Sequence, residues 1–400
     1  MSRRPLHPYV VGAAVSLASI ILAACSPTDA PAVHDSPPPP PSPSLEREPG
    51  PGIDPAEFTT DGLRLPLQWD GAEFVDPGWE VTPQHLEGVF LVPVEADGRL
   101  VFTAIDSEGQ ALWTAERPLA CAGFTLTLGR DGTPLAVLND STPTDGAIAQ
   151  TTATAYDLRT GDTAWGPVDV PGPHQGPGLV YASPPAEAMG GTGPRVALDS
   201  ATGDVAAAET DGGPRVVAER HGTVVTQEGT VLRATDSAGA MVWEAEAPAG
   251  AGEAHAVPGM VLGGPFLALD SGDDRAAVID LADGSTVAPD VTSAAYDGAT
   301  ATLVATDGRR AWALDTSSGE TLWEVSASAE ARAVAAGGAQ VYLRQGETIH
   351  VHNALTGAAN PGYEASQEGT IMVPRVIAGT GAAAFSHEGR VFLATTPTGR

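Results

Sequence analysis

The chain has 400 residues, 42% of them apolar, with 47 Gly and 35 Pro, which suits a packed core made of many short segments. Its 50 acidic residues face 20 cationic ones, every one an Arg, for a net charge of −30. Such a surface repels nucleic acid and anionic headgroups, and the lack of any Lys excludes Schiff-base chemistry and a P-loop.

Arg3 and Arg4 precede an apolar run from Tyr9 to Ala24, too short for a comfortable membrane span, and Cys25 follows it. Leu22, Ala23, Ala24 and Cys25 resemble the bacterial lipobox. That resemblance implies a signal peptide over residues 1–24, acylation of Cys25, and anchorage to the outer face of the cell membrane by two or more acyl chains. Ser2–Leu6 loosely resembles a twin-arginine export signal, so the export route stays open between that and the general one. Once Cys25 is lipidated, Cys121 has no disulfide partner and reads as a buried, inert thiol. Residues 25–57 are Pro-rich; proline fixes φ and donates no hydrogen bond, so they read as a disordered, semi-rigid tether reaching on the order of 90 Å at ~3.1 Å per residue. Lipobox, paired Arg and absent Lys together fit an actinobacterial source.

Residues 58–400 repeat themselves. Ala104–Trp113, Ala155–Trp165, Ala234–Trp243 and Ala313–Trp323 each place an Asp three or four residues before a Gly and a Trp four residues after it. The triplets are Asp106, Gly109, Trp113; Asp157, Gly161, Trp165; Asp236, Gly239, Trp243; and Asp315, Gly319, Trp323. The same mark falls at Asp199, Asp280, Asn353 and Thr395, with a mean spacing of roughly 41 residues, the size of a four-stranded propeller blade. Thr223–Asp236, Thr300–Asp315 and Gln340–Gly357 each read as strand, Gly-centred turn, strand, with no room for crossover helices. The Ala-rich stretch before Gln340 reads as strand too, because it falls in phase with the period. The fold class is therefore all-β: an eight-bladed β-propeller of four-stranded antiparallel blades, with seven blades as the alternative because the unit around Asp199 is poorly patterned. The last unit offers three strands, and Leu63–Trp69 is placed to supply the fourth and close the ring, with Trp69 in the eighth Trp slot.

The repeated motif has a structural account. Asp and Gly make a tight turn, and the Trp buries on the order of 150–250 Å² against the next blade, roughly 4–6 kcal/mol per seam as an upper limit. The Trp slot is taken by Ala207, Ala288 and Pro361 in three units, which weakens those seams. Ala313–Trp323 resembles the repeat of quinoprotein-type (PQQ-like) propellers, and the resemblance extends over most of residues 63–400. That group holds quinone-dependent dehydrogenases and non-enzymatic lipoproteins alike. Its dehydrogenases use a vicinal disulfide that Cys121 alone cannot make, so the expected cofactor set is none, PQQ included.

Other chemistry is sparse. His350 and His352 share one strand face and could begin a metal site to which His387 in the next unit contributes, but two His without a fixed third ligand are far more often ordinary strand residues. Asp270–Asp274 concentrates carboxylates in a loop but lacks EF-hand spacing. Gly379–Ala384 matches a loose dinucleotide pattern that no helix follows. The expectation is a non-catalytic, monomeric envelope lipoprotein whose ring binds a protein, glycan or small ligand, with no metal and no catalytic residue. The alternatives are a quinoprotein-like oxidoreductase binding PQQ and a sugar- or peptide-binding sensor component.

Overall fold

Short alternating segments punctuated by Gly turns pair with their sequence neighbours, and the computed structural model assembles them into a ring. It describes residues 44–142, 150–184, 193–236, 238–248, 256, 261–366 and 368–396. From Leu45 onward the chain is an eight-bladed β-propeller of small antiparallel sheets. The lipobox residues and Cys25 lie outside the described residues. Among the described residues no helix is long and apolar enough to cross a membrane.

Blades 1 to 7 span residues 84–118, 124–170, 174–208, 215–246, 256–291, 293–326 and 332–360, each running from the ring's centre outward. In blades 3 and 5 the innermost strand is reduced to single bridges, His174 to Tyr181 and Ala256 to Leu269. That explains why the unit around Asp199 looks weak in sequence. The Ala-rich stretch is strand, Arg332–Gly337 paired with Gln340–Gln345.

Blade 8 joins the two ends of the domain. Its inner three strands are Pro374–Ile377, Ala383–His387 and Arg390–Ala394. The outer strand comes from the beginning of the domain, so closure is of the expected kind, but the strand is Phe74–Trp79 and not Leu63–Trp69. Pro66, at φ −63°, starts a single 3-10 turn over Leu67–Trp69, and only Leu63–Arg64 pairs, in parallel, with Thr370–Ile371. Pro77 is tolerated in the true closing strand because the ladder is broken between Val75 and Trp79. Val75, opposite Leu393, holds the position that Trp holds in other blades. Trp69 is instead fully buried between blades 7 and 8, its Nε1 donating to the Gly381 carbonyl at 2.9 Å, its ring edge-on to Phe385 and 6.3 Å from Tyr342. Trp79 packs with Phe90, Ile105 and Leu393, so one cluster spans the seam between blades 8 and 1.

From Glu46 onward the Pro-rich segment lies along blade 1: Gly50 pairs with Thr114, and Arg47 bonds Asp140. The buried Arg117 donates there to the Arg47 and Glu116 carbonyls and to the Tyr156 hydroxyl, while its Nε has no partner.

Candidate functional site

The repeated residues sit on one rim of the ring. Asp106 Oδ1 accepts from the amides of Glu108 and Gln110, Asp157 from Arg159 and Thr160, Asp236 from Ala238 and Ala240, and Asp315 from Ser317 and Ser318. Those amides hold the Asp315 carboxyl below the usual carboxylate range. Each indole then crosses to the next blade. Nε1 of Trp113, Trp165, Trp243 and Trp323 donates to the carbonyls of Leu158, Ser200, Leu281 and Ala354, at 2.9, 2.9, 2.8 and 2.7 Å. The receiving blade's turn glycine is the seat. A Cβ on Gly203, Gly284 or Gly357 would lie 2.5, 2.5 or 2.7 Å from the indole, and one on Gly161 3.1 Å from Trp113. Gly239 and Gly319 follow Ala207 and Ala288, and nothing stands within 4 Å of a Cβ there. The motif residues are thus engaged in turns and seams.

The remaining sequence candidates do not converge. His350 and His352 share a face with their rings 6.5 Å apart, but His352 lies against Trp323 and its Nδ1 faces the Gly357 carbonyl at 3.0 Å. His387 neighbours Glu388. Asp270–Asp274 forms a hairpin turn, with Asp270 accepting from the Gly272 amide. Among the described residues no group of three or more His, Cys, Asp or Glu gathers as a metal would need. Gly379–Ala384 leads into the strand Ala383–His387. Cys121 is buried, and desolvation pushes its thiol up to about 11, away from the reactive thiolate.

What does converge lies on the axis. The inner parts of the blades line a channel of about 1220 Å³, reached by residues of all eight, blade 5 through Gly263. A second chamber of about 520 Å³ adjoins it and shares His85, Arg220 and Arg375 with it. The wide chamber is lined by Arg220, Arg332 and Arg375 and by His85, His174 and His221, and among the described residues no Asp or Glu lines it. The adjoining chamber adds Arg159 and two carboxylates, the exposed Glu87 and Asp297, the latter occupied by the Ala299 and Ala339 amides and the Thr300 hydroxyl. Burial holds His85 down to about 4, with the Arg220 charge adding to it, and does the same to His221. Both imidazoles are therefore neutral at pH 7, and the fixed charges of the wall are the three guanidiniums. Burial also weakens the hold of Arg220 and Arg375 on their protons, and Arg344 adds like-charge repulsion at Arg375.

Next to Arg220, the Glu219 carboxyl is sealed away from the lumen. It accepts from the Leu179 and Gly222 amides and the Thr127 hydroxyl. Its burial still pushes it up to about 7. Gly178 seats directly on it, since a Cβ there would lie 1.7 Å from the Glu219 carbonyl oxygen.

The channel escaped sequence reading because its six basic side chains are spread from residue 85 to residue 375 with no local spacing. The available signal was positional: basic residues on the first strand of successive repeats in a strongly acidic chain.

No known protein family's sequence profile matches the chain, and no curated protein matches it. Solved structures do. BamB from Moraxella catarrhalis is 15% identical with a TM-score of 0.41, over 81% of this chain and 98% of that one. Sqt1 of Saccharomyces cerevisiae is 10% identical with a TM-score of 0.41, over 86% and 99%. The computationally designed Ika8 protein is 12% identical with a TM-score of 0.35, over 84% and 99%. The architecture itself stands on this chain's own strand pairing.

Proposed function

We propose that the chain is a non-catalytic binding platform, tethered to the outer face of a cell membrane through acylated Cys25, with the ring presented to an envelope protein, a glycan or a small ligand. The observation that carries the reading is the channel: all eight blades contribute residues to one solvent-reached lumen. Propellers gather side chains from many repeats around one axis, which serves recognition without any reacting group. Anchorage rests on the lipobox resemblance of Leu22–Cys25.

The test expresses the full chain beside Cys25→Ala and follows both by membrane fractionation and in-cell cross-linking. The expected result is a membrane-bound wild type, a released C25A variant, and a discrete cross-linked partner or co-purifying ligand. A wild type found wholly in the soluble fraction removes the anchor. A ring with neither partner nor ligand removes the platform.

A further inference from the structure

Across the whole chain acidic residues outnumber Arg 50 to 20, yet among the described residues the wide chamber of the channel draws three Arg and no carboxylate into its wall. Arg220 comes from blade 4, Arg332 from blade 7 and Arg375 from blade 8, so positive charge enters from opposite sides of the ring. Arg332 donates to the Ala329 and Ala331 carbonyls, which fixes it but leaves its charge uncompensated by any carboxylate. Arg220 Nε and His221 Nδ1 are buried with no hydrogen-bond partner. The neighbouring Glu219 charge offsets part of the cost of burying Arg220, but that carboxyl is already bonded to Leu179, Gly222 and Thr127. The groups that relieve the rest best are phosphate and carboxylate oxygens, which meet a guanidinium's fork of N–H donors bidentately.

We propose that the channel is a binding site for a small polyanion, a molecule carrying two or more phosphate or carboxylate groups. One monoanion cannot meet cationic side chains that enter from blades facing each other across the axis; two or more anionic groups on one molecule can. Neutral His85 and His174 add an imidazole on two further sides, and Phe90, stacked on His85 at 5.8 Å, braces the first of them. The acidic exterior does not bar entry of a small ion, since its field decays over ~8 Å at physiological salt. It does repel large polyanions such as nucleic acid, and the lumen excludes them by size. The proposal rests on the platform reading in one respect, that the lumen is where binding happens.

The test is calorimetric titration of the full chain with pyrophosphate, with citrate, with monophosphate and with glucose. The expected result is saturable one-to-one binding of pyrophosphate or citrate, at least tenfold weaker binding of monophosphate, and none of glucose. Binding to pyrophosphate alone assigns phosphate, to citrate alone carboxylate, and to both a general polyanion site; each supports the proposal. Arg220→Gln and Arg375→Gln each raise Kd at least tenfold. Arg233→Gln, on the outer part of blade 4 where Arg233 pairs with Glu228 and Glu244, leaves it unchanged. R375Q serves if R220Q does not fold, because Arg375 is only half-buried. No saturable binding of either polyanion, or binding that R375Q leaves untouched, overturns the proposal. Cross-linked partners on the outer loops would survive that result, so failure here is separable from failure of the platform.

Discussion

The seams of the ring are of two kinds. Between blades 1 and 2, 2 and 3, 4 and 5, and 6 and 7 an indole reaches across, bonds a carbonyl and sits on a glycine. Between blades 3 and 4 the slot holds Ala207, and the buried apolar residues are Val180, Ala197, Val216 and Val224 alone. Blade 5 also offers Ala, at 288, but there the receiving blade compensates: Trp312 of blade 6 packs with Phe266, Val278 and Ala288. A missing indole is therefore tolerated by replacement from the other side, by a thin seam or, after Pro361, by Trp69 brought in from the start of the domain between blades 7 and 8. The thin seam adjoins Glu219, whose carboxyl bonds residues of blades 2, 3 and 4, so polar ties take up part of what packing lacks.

Truncating an indole should have the largest effect. Trp243→Ala is expected to lose about 3–5 kcal/mol of unfolding free energy by denaturant titration, as large-to-small changes in a core do. A loss below 1 kcal/mol would show that the indole merely decorates the seam. Glycine seats sharpen the comparison further. Gly284 and Gly319 share nearly the same φ, +75° and +74°, but only Gly284 carries an indole. Alanine at either pays the left-handed backbone strain of about 1–2 kcal/mol, so Gly284→Ala should cost a further 1–3 kcal/mol over Gly319→Ala. Equal losses would mean that the indole shifts freely. At the thin seam, Glu219→Gln keeps the shape but turns an –NH2 toward an N–H donor, and about 1–3 kcal/mol should go.

The smallest effect is on pH. His85 and His221 titrate near 4 when folded and near 6.5 otherwise, so the unfolded chain takes up more protons between those values. The stability they give is complete above about 6.5 and is lost as pH falls toward 4. Glu219 opposes them: raised from 4.5 to about 7, it favours the folded state as pH falls through 7 to 4.5. Two imidazoles outweigh one carboxyl, so the melting midpoint should drop on acidification from 6.5 to 4. In the His85→Gln, His221→Gln double variant the slope should change sign; an unchanged slope would show that other groups set it.

Much of the ring was legible in the sequence because the turn motif is local. Asp, Gly and Trp lie within eleven residues, and the period multiplies a weak signal eightfold. The absences at Ala207 and Ala288 were legible for the same reason. The closing strand was misplaced because Leu63–Trp69 alternates well and ends in Trp, whereas Phe74–Trp79 contains a proline that only a broken ladder accommodates. The channel was not legible at all. Its wall is a property of the ring, made by side chains that meet only after eight sheets are arranged around one axis.

Blade 8 is stitched from residues as far apart as Asp76 and Arg390, which bond each other at 3.0 Å across 314 positions. No closed ring exists until synthesis has delivered the final strand, and every earlier fragment presents an unpaired outer edge. Closing the ring therefore carries the loop-closure entropy of the whole domain. A chain cut before Arg390 loses Arg390–Ala394 and with it the clasp, so proteolysis there would act on the whole domain and not on one blade.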